Sequence, residues 1–243
     1  MTDAPFFLNR TQAGERLAEI IQANLRQQLI ESGVEPIPIV YALPRGGLPV
    51  AAPIADLLQC PLTVLVAKKI SHPNNPELAI GAVTASGLVL WANEKLLNFR
   101  GNSRQRQVAM EIAINKAKSL ESQFLPFCPQ VNPQGATLIL VDDGIATGMT
   151  IAVAAKALNL LAPAQIFICS PVAPPQLLPW LQDWCDNSGD NCDRNQQKLI
   201  RKQNRIIVLE TPEPFLSVSN FYVEFPQIET SEALTYLQQR NQK

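Results

Sequence analysis

The stretch that decides the fold is LILVDDGIATGMT, residues 138–150. Leu138 to Val141 are four consecutive apolar residues, the pattern of a strand buried on both faces. Asp142 and Asp143 follow at its end. A loop of small residues comes next, Gly144-Ile-Ala-Thr-Gly148, and then a helical pattern opening with Met149 and Thr150. In open α/β sheets ligands sit beyond the carboxyl ends of the strands. Two adjacent carboxylates there accept hydrogen bonds from neighbouring ribose hydroxyls or orient the water shell of Mg²⁺. The loop amides and the positive N-terminus of the following helix cradle a phosphate, with Thr147 and Thr150 as added donors. The acids and the cradle side by side describe a site for a sugar phosphate. The plain alternative is a buried strand ending in an acidic turn with a Thr N-cap. A Walker-B strand also ends in Asp, but it needs a GxxxxGK[ST] loop, and the chain contains none; GxGxxG and GxSxG are absent too.

Outward from this stretch, similar short apolar runs recur. Ile37–Leu43 reads as the first core strand, Pro49–Leu58 as a helix behind it and Leu62–Ala67 as a second strand. Ile166–Cys169 and Ile206–Leu209 complete the set. Runs without polar alternation need both sheet faces covered, and strands alternating with helices imply a parallel α/β sheet. Residues 11–31 have helical spacing, with Leu17, Ile20, Ile21, Leu25 and Leu29 on one face. Ser71–Pro76 reads as a loop, and Ala79–Ala85 with Leu88–Trp91 as a hairpin about Ser86-Gly87. Ser103–Phe124 reads as a long amphipathic helix with Val108, Ile112 and Leu120 inward. Asp183–Lys202 is a polar surface insertion. Thr211–Lys243 carries Pro212, Pro214 and Pro226, then a short helix, and is expected to fold back over the sheet as a hood. The organisation expected is one domain over 1–243. Its core is about 33–210, its hood is drawn from the N-terminal segment and 211–243, and the insertion is 183–202.

Bulk properties narrow the classes. The chain has 243 residues, 47% hydrophobic and 17% charged, with net charge −1. No strong field draws nucleic acid or an anionic membrane, so neither is an expected partner. The start, MTDAPFFLNR, lacks the form of a signal peptide. The uncharged stretch Ala157–Gln182 holds five prolines and is no membrane helix. Five cysteines without a secretory signal point to a reducing, cytoplasmic location, with Cys60, Cys128 and Cys169 as core thiols. Cys185 and Cys192 lack a second ligand pair, which disfavours a metal site.

LPRGG, residues 43–47, closes the first strand. Its glycines allow an anion close to the backbone, and Arg45 offers a fixed charge; a tight turn with a surface Arg is the alternative. Lys68 and Lys69 end the second strand, either facing an anion or as a solvated strand end.

Residues 138–150 resemble the phosphoribosyl-pyrophosphate (PRPP) motif of the type I phosphoribosyltransferases. The resemblance implies an α/β fold: a parallel sheet flanked by helices, with a small hood and a β-hairpin excursion. By position it assigns the ribose hydroxyls to Asp142 and Asp143, which would meet Mg²⁺ indirectly, through water or PRPP. It assigns the 5′-phosphate to the loop of Gly144, Ile145, Ala146, Thr147, Gly148, Met149 and Thr150. LPRGG resembles the family's pyrophosphate loop, giving Arg45, Gly46 and Gly47 that group and implying a cis non-proline peptide beside Arg45. Lys68, Lys69 and His72 would stabilise the departing pyrophosphate. SHPNNPELAIGAV (71–83), ALPRGG (42–47), TPEPF (211–215) and YVEFPQ (222–227) resemble a subgroup marked by an NPELAIGAV-like segment. That subgroup has Gly where Ser71 stands. Ala146 occupies the place of an Asp that serves the base in some purine-salvage members.

The activity implied is Mg²⁺-dependent transfer of phosphoribose from PRPP to a nucleobase-like acceptor in nucleotide salvage, releasing pyrophosphate, by a homodimer. A non-catalytic PRPP or nucleotide sensor on the same fold is the alternative, and a PRPP-dependent hydrolytic or phosphotransfer enzyme a third. Phe221, Tyr222 and Phe225 either stack a base or form the hood's core.

Overall fold

A computed structural model describes residues 5–92, 103–187 and 204–241. Its centre is a five-stranded, wholly parallel sheet made of β1 (Pro38–Ala42), β2 (Leu62–Val64), β6 (Thr137–Val141), β7 (Gln165–Val172) and β8 (Arg205–Glu210). Their order across the sheet is β2-β1-β6-β7-β8. The parallel sheet and its flanking helices are the fold expected from the apolar runs.

The side chains show why those runs lack polar alternation. Along β1, β6 and β7, Val40, Ala42, Ile139, Val141, Phe167 and Cys169 enter one core. Ile39, Tyr41, Leu138, Leu140, Ile166 and Ile168 enter the core on the opposite face. Side chains alternate across a strand, so an apolar residue at every position requires a layer on each side. The first layer is built by α1 (Arg10–Ser32), α2 (Gly47–Leu58) and the last helix, α6 (Thr230–Asn241). These helices contribute Leu17, Ile21, Ile54, Ala233 and Leu237. The second is built by α4 (Met149–Asn159) and α5 (Leu177–Asn187), with Ile151, Val153, Leu158 and Leu181.

Helix α1 has a reciprocal cap. Asn9 accepts from the Gln12 amide, and the Gln12 side chain accepts from the Leu8 amide at 2.8 Å. This cap fixes the entry of α1 and hence the place of Arg10 in its first turn.

Three readings change in the structure. Leu62–Ala67 is not one strand: β2 stops at Val64, and Ala67 opens β3 (Ala67–His72) in a second sheet. Ser71–Pro76 is not a loop, since β3 turns at Pro73-Asn74 directly into β4 (Asn75–Thr84). β4 then pairs with β5 (Val89–Trp91), giving an antiparallel excursion of order β3-β4-β5. Third, the helix over Ser103–Phe124, α3, buries Ala113, Ala117 and Phe124, while Val108 and Ile112 are about half exposed, at 48% and 50%. Ala113 faces Ile70, Ile80 and Val83 of the hairpin, where close packing favours a small side chain, whereas Ala117 and Phe124, with Leu120 turned inward as expected, pack against the core of the parallel sheet.

The two ends of the chain meet. Phe7 pairs with Tyr222 in an isolated parallel bridge, and the amides of Phe6 and Phe7 both donate to the Phe221 carbonyl. Phe6, Phe7, Phe215, Phe221, Tyr222 and Phe225 form one aromatic cluster against Val172. Cys60 and Cys169 are buried and Cys128 half-buried, all as free thiols. Burial pushes the Cys60 thiol up to about 11, away from thiolate chemistry. Cys192 and residues 188–202 of the polar insertion lie outside the described residues. No helix among the described residues is long and apolar enough to cross a membrane.

Candidate active site

β1 and β6 are hydrogen-bonded neighbours in register, Ala42 beside Val141. Their carboxyl ends therefore deliver LPRGG and the Asp142-Asp143 pair to the same edge. The peptide between Pro44 and Arg45 is cis, as expected beside Arg45. The loop closes tightly, with the Gly47 amide on the Leu43 carbonyl at 3.0 Å, so that amide is spent inside the turn. Gly46 lies against Asp143, and a Cβ there would overlap the Asp143 carboxylate. The contact admits only glycine, which links the two loops.

The acids are held differently. Asp142 accepts the Asp143 amide on Oδ1 at 2.9 Å. Its carboxyl is pushed well above the usual carboxylate range, first by burial and then by the charge of Asp143. Asp143 gives Oδ2 to Arg10 Nε at 2.7 Å. Its carbonyl accepts the Tyr222 hydroxyl at 2.6 Å. Burial and the nearby Asp143 push the Tyr222 phenol up, so it stays a donor.

Lys68 and Lys69 part company because adjacent strand residues point to opposite faces. Lys68 is half-buried within electrostatic reach of Arg45 and Asp142. Burial first and Arg45 second lower its ammonium pKa, while Asp142 opposes. Lys69 faces the other way, with His72, into a groove of about 500 Å³ between the hairpin and α3. The sequence pair thus places one lysine, not two, beside the acids.

In the 144–150 loop, Ile145 turns inward, buried at 2% exposure. Its amide donates to the Val172 carbonyl at 2.9 Å, anchoring the loop to β7. Ala146 and Thr147 are exposed. Gly148 takes the N-cap position of α4 at φ +75, the left-handed region, and no side chain caps the helix. The first-turn amides of α4 thus point outward at a helix N-terminus, an arrangement suited to an anion. Among the described residues no group of three or more His, Cys, Asp or Glu is placed to hold a metal. The acid pair alone fits the way Mg²⁺ is usually held, by one or two carboxylates, waters and ligand phosphates.

A family model for the phosphoribosyl transferase domain matches residues 11–192. The chain belongs to the phosphoribosyl transferase family. A relative from Mycobacterium tuberculosis, named "Putative phosphoribosyl transferase", is 26% identical over 231 residues, which are 95% of this chain and 46% of the relative. The chain therefore spans about half the length of the curated relatives it matches. The crystal structure of TT1426 from Thermus thermophilus superposes with a TM-score of 0.68 at 25% identity, covering 96% of this chain and 98% of that one. A purine phosphoribosyltransferase from Pyrococcus horikoshii Ot3 aligns more loosely, with a TM-score of 0.38 at 15% identity over 89% of this chain and 93% of that one. The type I phosphoribosyltransferase fold expected from the LILVDDGIATGMT stretch is the fold present.

Reasoning from the sequence of this phosphoribosyl transferase domain missed three participants at the site. Arg10 and Glu229 come from opposite ends of the chain and meet Asp143 and Arg45 respectively. Val218 lies over Gly144. No local pattern marks any of them. Phe221, Tyr222 and Phe225 pack into the aromatic cluster, with the Tyr222 and Phe225 rings 4.8 Å apart.

Proposed function

We propose that this protein is an Mg²⁺-dependent phosphoribosyltransferase that moves phosphoribose from PRPP to a nucleobase-like acceptor and releases pyrophosphate. The observation that carries the reading is the meeting of three groups at one sheet edge. They are the acid pair ending β6, the uncapped N-terminus of α4, and the Arg45 loop ending β1. Asp142 and Asp143 take the ribose hydroxyls. The amides and hydroxyls of Ala146, Thr147, Gly148, Met149 and Thr150 take the 5′-phosphate, with Gly144 and Ile145 shaping the loop. Arg45 and Gly46 take the pyrophosphate, with Gly47 closing their turn.

Bond breaking at C1 of the ribose builds positive charge there and negative charge on the leaving pyrophosphate. Asp142 and Asp143 would hold Mg²⁺ indirectly, through water or PRPP, and the ion would supply positive charge to the leaving group. Arg45 and Lys68 add positive charge on the same side, and positioning supplies the rest. The half-buried Lys68 is the catalytic lysine in this scheme, and Lys69 plays no direct part. The hood, formed by the aromatic cluster and residues 211–241, covers the acceptor. The reading also carries a cytoplasmic location, a role in nucleotide salvage and a homodimeric assembly.

The test is incubation with PRPP, Mg²⁺ and a panel of purine and pyrimidine bases, following pyrophosphate. Base-dependent release supports the transferase. PRPP binding without release for every base would indicate a sensor instead, and release without any base a hydrolytic enzyme.

A further inference from the structure

Arg10 is 7% exposed, in the first turn of α1, and 133 residues from the carboxylate it bonds. Three contacts fix its guanidinium. Nε donates to Asp143 Oδ2 at 2.7 Å, Nη1 donates to the Pro226 carbonyl at 2.8 Å, and the plane lies 3.6 Å over the Phe225 ring. Phe225 packs on Tyr222, whose hydroxyl returns to the Asp143 carbonyl. The circuit from Asp143 through Arg10, Phe225 and Tyr222 back to Asp143 is closed. It grips both the side chain and the backbone of one acid.

Stability alone gives little reason for this arrangement. An apolar pair of similar volume in place of a buried ion pair is often as stable or more so. The fork of Arg10 does provide geometry, since a planar guanidinium binds a carboxylate and a carbonyl at fixed angles. Each acid then has one oxygen committed inside the protein: Oδ2 of Asp143 to Arg10 and Oδ1 of Asp142 to the Asp143 amide. One further oxygen on each acid lies outside these bonds, and a side-chain hydrogen bond between the two carboxyls holds them side by side, a bond that a ligand's hydroxyls would replace. A vicinal diol presents two hydroxyls, which matches that number.

We propose that Arg10 is a positioning residue for the donor sugar: it anchors Asp143 so that the acid pair presents one oxygen apiece to the two ribose hydroxyls, and it ties that orientation to the Phe225-Pro226 segment. The assignment rests on the PRPP reading above. It adds a residue that lies outside both sequence motifs and does not itself touch the ligand.

The experiment compares PRPP with inorganic pyrophosphate, which has no ribose hydroxyls, by calorimetry in Mg²⁺. Arg10→Gln should weaken PRPP about tenfold and leave pyrophosphate affinity unchanged, a split that general loosening of the fold would not produce. In an Asp143→Asn background the effect of Arg10→Gln should disappear. Equal PRPP affinity for Arg10→Gln and wild type, or parallel loss of both ligands, would overturn the role of Arg10. Wild-type protein that binds no PRPP would instead sink the underlying donor reading. Should Arg10→Gln not fold, Arg10→Lys keeps the charge but not the fork and carries the same test: weaker PRPP with unchanged pyrophosphate supports the proposal, and unchanged PRPP defeats it.

Discussion

Arg45 Nη1 lies 3.3 Å from Glu229 Oε2, an ion pair that spans 184 residues and joins the loop after β1 to the start of α6. Glu229 is 66% exposed. The guanidinium assigned to pyrophosphate is thus engaged by a solvent-facing carboxylate, which an incoming anion must displace. Exposed pairs of this kind contribute about 0–1 kcal/mol. Glu229→Gln should therefore tighten pyrophosphate and PRPP by up to about fivefold at low salt. The gain should shrink as salt rises, measured by titration at two ionic strengths. Weaker binding in the variant would show that Glu229 helps the site instead of competing with the ligand.

Asp142 offers a pH test with a definite sign. Its carboxyl pKa is raised in the folded protein by burial and by Asp143. A raised carboxyl contributes stability that is fully present below the unfolded pKa and is lost as pH rises through the folded value. Asp142→Asn keeps the acceptor for the Asp143 amide and removes the titration. The variant should melt roughly 2–4 °C above wild type at neutral pH, the shift that about 1 kcal/mol produces in a chain of this size. The gap should close as pH falls toward 4. The same substitution should weaken PRPP binding, so stability and affinity move in opposite directions. Thermal melts from pH 4 to 8 decide it.

Asp143 should behave otherwise. Its partner is a buried arginine, and Asp143→Asn leaves that cation without its counter-charge. Asp143→Asn should therefore lower the melting temperature, the opposite of Asp142→Asn, in the same thermal melts.

Tyr222→Phe removes a 2.6 Å hydrogen bond and leaves the Asp143 carbonyl without that donor. The cost should be about 1–2 kcal/mol, seen as a lower midpoint in denaturant with an unchanged slope. An unchanged midpoint would mean that the bond adds nothing to the link between the aromatic cluster and the acid loop.

Gly46→Ala sets a methyl group against the Asp143 carboxylate, which Arg10 prevents from swinging aside. Overpacking of this kind costs about 1–3 kcal/mol. Both the melting temperature and PRPP affinity should fall. Gly33→Ala makes a useful comparison, since its Cβ meets nothing within 4 Å although φ is +66. It should cost stability while leaving affinity unchanged.

The core was legible because β1, β6 and β7 are buried on both faces, and that requirement writes itself as short apolar runs. The turn from β6 into α4 was legible because small residues after an acidic strand end serve a local geometry, set by neighbours a few positions away. Two kinds of error had two causes. Val108 and Ile112 have helical spacing but sit at a groove, while Ala113 packs on the hairpin and Ala117 on the core of the parallel sheet, because helical periodicity shows that a face exists without saying which neighbour covers it. Leu62–Ala67 looked like one strand because apolar character runs through the point where the chain leaves one sheet for another.

By itself, then, the sequence determined the parallel sheet, the glycine-bearing loops at the ends of β1 and β6, and the acid pair that closes β6. Burial and tight turns leave marks within a few residues of where they act. Only the tertiary structure decided which lysine faces the acids, that Arg10 from the first helix clasps Asp143, and that Glu229 from the last segment holds Arg45. Those choices depend on which face of a strand meets the site and on contacts between residues more than a hundred positions apart. Neither leaves a local pattern in the chain.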